Sequence, residues 1–205
     1  MLKSQEIISG LQAIVNEYSM YAVIWHVAFY VLIIALIAKW KPSNELFALF
    51  ISIPVLSVAV FAWLSENPFN GTLFSILVIL ILIFGVKASS QPVSISQMPF
   101  VVTGILMIVF GLIYPHFIEP NSVFKYLYAS PVGLIPCPTL SILIGFVLLF
   151  NGFGSQPITL TLITFGLFYG IFGVLKLAVY LDLFLVFGSI TLLTKYLLSF
   201  RTIGT

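Results

Sequence analysis

The chain has 205 residues, 61% hydrophobic and 7% charged, with a formal net charge of +2. A soluble globular domain carries about 45–50% apolar and roughly 25% charged residues, so a soluble fold is excluded, and the scattered Lys and Arg give no basis for a nucleic-acid partner. Cys137 is the single cysteine, which excludes a disulfide-stapled fold.

Residues 1–18 place Ile7, Leu11, Ile14, Val15 and Tyr18 at steps of three and four among Lys3, Glu6 and Glu17. That is one apolar stripe on a polar helix, and it predicts a segment lying in the membrane interface. The competing reading is the wet start of the first span. About 20 predominantly apolar residues cross the roughly 30 Å of bilayer hydrocarbon, and seven segments fit. The first covers 20–38, between Tyr18/Tyr21 and Trp40, and stops at Lys39, Lys41 and Pro42. The second covers 45–64, with Glu45 against the positive end of the helix dipole. Residues 65–71, with Asn67-Pro68 and Asn70-Gly71, read as a turn. The third span covers 72–86, a polar loop follows over 88–97, and the fourth span covers 99–114.

Residues 126–175 contain no Asp, Glu, Lys or Arg. The fifth span, 131–150, holds Pro131, Pro136 and Pro138, so regular helix is expected only from Pro138, where proline fits a first turn. The remaining helix, about 20 Å long, is too short to cross alone and must be sheltered by neighbouring helices. Ahead of it, 114–139 is expected to form a packed cap that buries Phe117, Ile118, Phe124, Tyr126, Leu127 and Tyr128. Residues 156–200 would make a helix of more than about 60 Å and must fold back once, giving spans at 157–175 and 180–199. Lys176 and Asp182 mark the tip of that hairpin near the interface, each complementing a helix dipole. The fold class is thus an all-α integral membrane bundle of about seven spans, with a broken fifth span and an N-terminal interfacial helix. On alternate sides the basic residues number five (Lys39, Lys41, Lys87, Lys195, Arg201) and three (Lys3, Lys125, Lys176), which puts the N-terminus outside and the C-terminus in the cytoplasm.

Candidate functional groups are few: His26, His116, Glu119, Cys137, Lys176 and Asp182. His26 lies inside the first span, where an ionisable group is a functional candidate and a structural hydrogen bond is its competitor. His116 and Glu119 sit in a proline-flanked turn that offers a proton or metal site, or an ordinary interfacial turn. Asn70-Gly71-Thr72 has the form of a glycosylation acceptor, or of a plain Asn-Gly turn. No His-x-His, paired carboxylate or Cys-x-x-Cys spacing supports a metal, and no cofactor motif is present. Cys137, capping a helix that starts at Pro138, is either a reactive thiol in a broken-helix binding site or a small residue shaping the helix start. It is expected to be shielded from water-soluble reagents unless it lines an open site.

Pro136-Cys137-Pro138-Thr139 leading into an apolar helix with Gly145, then 173–178 and Asp182 in the last hairpin, resembles a family of uncharacterised bacterial multi-pass membrane proteins defined only as a domain of unknown function. The resemblance covers the C-terminal half, and it implies a bundle in a bacterial inner membrane and no reaction. Two functional classes remain. A non-catalytic accessory, assembly or scaffold subunit would meet other membrane subunits, or a second copy, through Gly166, Gly170 and Gly173, and it fits the extreme apolarity best. A small-solute or ion transporter would use the broken fifth span. An enzyme is disfavoured because Cys137 has no base nearby in sequence.

Overall fold

The computed structural model describes residues 4–86, 90–118, 123–151 and 155–201, and these are helical with short connections. The helices are α1 (Ser4–Glu17), α2 (Ser19–Ile37), α3 (Asn44–Leu64), α4 (Pro68–Val86), α5 (Met98–Ile113), α6 (Tyr126–Ala129), α7 (Pro136–Leu149), α8 (Gln156–Leu177) and α9 (Leu183–Arg201). Five segments are long and apolar enough to cross a membrane: α2, α3, residues Pro68–Gly85 of α4, α8, and Tyr180–Ser199. α5 and α7 are apolar but shorter.

The architecture is organised around α7. Every residue from Pro138 to Leu148 is buried, and the helix packs against α3, α5, α8 and α9. That enclosure shelters a helix of about 20 Å among its neighbours, as an apolar surrounding requires of a short one. The tightest seam is with α5. A Cβ on Gly104 would stand 2.7 Å from the Gly145 carbonyl oxygen, and one on Gly145 2.7 Å from that of Gly104. Ser141 Oγ adds a bond to the Met107 carbonyl at 2.8 Å. Outward faces are the reverse. Met20, Ile24, Val27, Val31 and Ile34 of α2 are exposed, as suits a surface in lipid.

At one end of the bundle α3, α5 and α8 finish and α2, α4, α7 and α9 begin. The amphipathic helix α1 covers this end, burying Leu11, Ile14 and Val15 in a cluster with Phe61, Tyr114, Phe117 and Ile135. Ser4 Oγ ties α1 to the Lys176 carbonyl at 2.7 Å. At the opposite end residues 91–93 run beside 42–44, with Asn44 N–H donating to the Gln91 carbonyl and Val93 N–H to that of Pro42.

Two boundaries and the burial of the cap differ from the sequence expectation. α4 starts at Pro68 instead of residue 72, because Asn67 Oδ1 accepts from the Asn70 N–H at 3.1 Å. Asn67-Pro68 is therefore an N-cap followed by proline at the first helical position, and Asn70-Gly71 lies in the helix and not in a turn. α7 starts at Pro136, so Cys137 sits inside the first turn instead of capping it. In the cap, Phe117 and Ile118 are buried as expected, whereas Phe124, Leu127 and Tyr128 are exposed. The four-residue α6 turns one side outward, where a lipid-like surrounding imposes no penalty on apolar side chains.

Candidate functional site

Where α8 hands over to α9, Ala178 adopts a left-handed conformation (φ 56°) and ends the helix. A single 3₁₀ turn, Tyr180–Asp182, then leads into α9. This tight reversal swings Asp182 inward instead of leaving it at an exposed hairpin tip, and only 1% of the residue is exposed. The expectation of an interfacial Asp182 serving the start of its own helix is corrected on this point. Its carboxylate faces the first turn of α7.

Two donors hold that carboxylate. Tyr114 Oη donates to Oδ1 at 2.8 Å and Cys137 Sγ to Oδ2 at 3.3 Å. The backbone of α8 supplies the room: a Cβ on Gly173 would lie 1.9 Å from Oδ2, so only glycine lets the carboxyl rest there. A carboxylate offers about four acceptor positions, and side chains of the described residues take two of them. Its position beside the N-terminal turn of α7 is also favourable to negative charge.

The site opens into a cavity of about 570 Å³ between α1, the α3–α4 connection, α7 and α8. Asp182, Cys137, Tyr169, Phe172 and the half-exposed Phe69 line it, together with Glu6, Glu66 and Lys176. Tyr169 Oη donates to Asn70 Oδ1 at 3.0 Å. Asn70 is 7% exposed and engaged there, so it is not an accessible glycosylation acceptor.

The structure thus brings Cys137, Asp182 and Lys176 to one cavity and leaves the other candidates apart. His26 is buried in α2, with Nδ1 2.8 Å from the Ala22 carbonyl and Nε2 2.9 Å from that of Leu112, and it pins α2 to α5. His116 packs edge-on against Phe117 at 4.2 Å, and its Nε2 is buried without a partner. Burial holds this imidazole below its usual pKa. Glu119 lies outside the described residues. The α8 glycines meet the chain's own last hairpin: Gly166 against Ser189 and Gly170 against Val186 of α9, and Gly173 against Asp182 of the turn before it.

Sequence reasoning missed Tyr114, Asn70 and Tyr169 at this site, and Lys195 at the other end of α7. Lys195 Nζ donates to the carbonyls of Val147 (3.2 Å) and Leu148 (3.1 Å) and to Ser96 Oγ (2.6 Å), while lying 5.6 Å from the Phe100 ring centroid. Position in an apolar stretch was the available signal for Tyr114, Tyr169 and Lys195, since polar groups in such stretches are paired, whereas Asn70 lies in a polar segment that reads as a turn. Comparison with protein-family models, with characterised proteins and with solved structures finds no match to this chain.

Proposed function

We propose that this chain is a multi-pass membrane protein of the transport class, which admits a small solute to the Asp182 cavity. The observation that carries this reading is a buried carboxylate, held by Tyr114 and Cys137, that opens into a cavity of about 570 Å³ instead of being sealed in the core. Solute sites in proteins have that character, concave and largely apolar with a few placed polar groups. In this reading α2–α5 and α7–α9 are seven spans in a bacterial cytoplasmic membrane. The Lys39, Lys41 and Lys195 end faces the cytoplasm, and the cavity faces outward.

The accessory-subunit reading, which composition favours, needs no internal cavity. The glycine face that motivated it is covered by α9. Cys137 discriminates between the two. In the purified protein in lipid nanodiscs, the small neutral reagent methyl methanethiosulfonate is expected to modify Cys137 fully while the fold is intact. Cys137 that reacts only after unfolding, together with recovery of a stoichiometric partner from native membranes, would replace the transport reading with the accessory one.

A further inference from the structure

We infer that the solute is a small organic cation, an amine or quaternary ammonium, which Asp182 holds as its counter-charge; this rests on the solute-cavity reading above. The groups acting on the Asp182 carboxyl are Tyr114 and Cys137, both neutral donors, and no Lys, Arg or His among the described residues contacts it. Buried charge is retained where it is paired, and none of the described residues gives this carboxyl a cationic partner. The space beside the carboxyl is empty volume large enough for a molecule of several heavy atoms.

The walls select among possible cations. Phe69 and Phe172 pair on the wall with ring centroids 6.3 Å apart, and Tyr169 lies on the same lining. Aromatic faces attract alkylammonium groups, and most strongly where water is excluded. A bare hard ion fits poorly, because it takes six or more oxygen ligands at close range and this lining is mostly carbon. A transition metal fits poorly too, since among the described residues no three His, Cys, Asp or Glu converge.

Because Cys137 adjoins Asp182, the thiol reports the charge preference directly. Two methanethiosulfonates of similar size are compared on the native protein, one bearing a trimethylammonium and one a sulfonate. Each transfers its thioalkyl group to the Cys137 sulfur and releases methanesulfinate. Their rate ratio is referred to the ratio on the same protein unfolded in detergent, which cancels intrinsic reactivity. The cationic reagent is expected to be favoured by about tenfold or more, as a charged low-dielectric cleft concentrates its counter-ion. Asp182→Asn should return the ratio to the reference. Independently of any variant, tetramethylammonium should slow modification of wild-type Cys137 by the neutral methyl reagent, and tert-butanol of similar shape should not. Equal rates for both charges with no protection by tetramethylammonium would overturn the cation inference while leaving the solute cavity standing. No modification by any of the three reagents would overturn the cavity reading itself.

Discussion

The two ends of α7 carry the same device in two states of completion. A charge stands at each: Asp182, in the turn before α9, beside the first turn and Lys195 of α9 at the last, opposite in sign and each matched to the helix dipole. Thirteen residues of helix between them span about 20 Å, which is also the length of α7. At the Lys195 end every ammonium proton is used, on two carbonyls and Ser96. At the Asp182 end the described residues supply two donors, and a cavity lies in front of the carboxyl. We read the first charge as a structural cap and the second as the proposed site.

Lys195→Met tests this contrast most severely. It leaves two buried acceptors without donors at roughly 1–3 kcal/mol each, so a stability loss on the order of 3 kcal/mol is expected in denaturant or thermal unfolding, whereas Asp182→Asn should change stability far less. Equal losses at the two positions would erase the distinction between cap and site.

Gly173→Ala comes next. With a Cβ 1.9 Å from Oδ2, the carboxyl must move, and overpacking of this kind costs about 1–3 kcal/mol. Cys137 modification should lose its charge preference in the same variant. Unchanged stability and unchanged preference would mean that the carboxyl does not rest against Gly173.

Tyr114→Phe removes one of the two donors without changing shape. A stability loss of about 1.5–3 kcal/mol applies if the carboxyl is ionised, and about 1 kcal/mol if it is not. Because Lys195 is 13 residues further along α9, Tyr114→Phe and Lys195→Met should be additive within about 0.5 kcal/mol. Marked coupling would show that the two ends of α7 act as one unit.

The smallest effect concerns pH. His116 packs beside Tyr114 with ring centroids 6.4 Å apart, and burial holds its folded pKa below the unfolded value of 6.5. The unfolded chain therefore binds this proton first, so the contribution is complete above 6.5 and is lost as pH falls from there toward the folded pKa. Unfolding midpoints measured between pH 7.5 and 5 should decline, and His116→Phe should flatten the decline. Loss of stability as pH rises through the same window would reverse the assignment.

Much of the bundle is legible in the chain because apolar runs end at charges: Lys39 and Lys41 after α2, and Lys176 and Asp182 around the α8–α9 reversal. The amphipathic stripe of α1 is legible for the same reason, and the buried Leu11, Ile14 and Val15 are three of its five members. What is not legible is pairing at a distance. Tyr114 and Asp182 are 68 residues apart and Cys137 and Asp182 are 45 apart, and no local periodicity joins them. Asp182 at a hairpin tip looked exposed because a charge at a helix start usually is, and only the left-handed Ala178 and the missing Cβ of Gly173 turn it inward. Asn67-Pro68 shows a related limit. The same dipeptide serves a turn or a helix start, and the Asn67 bond to Asn70 decides which.

The dependence of α7 on α9 also bears on biogenesis. A helix of this length, preceded by a proline-rich turn and buried on all sides in the finished bundle, gains its final neighbours only when later parts of the chain arrive. Both charges that complete its ends lie in or beside α9, which is synthesised after it. Until then α7 is held mainly through the glycine seam with α5, with the Val147 and Leu148 carbonyls lacking their lysine donor. The packing that surrounds α7 is therefore complete only once α9 is in place.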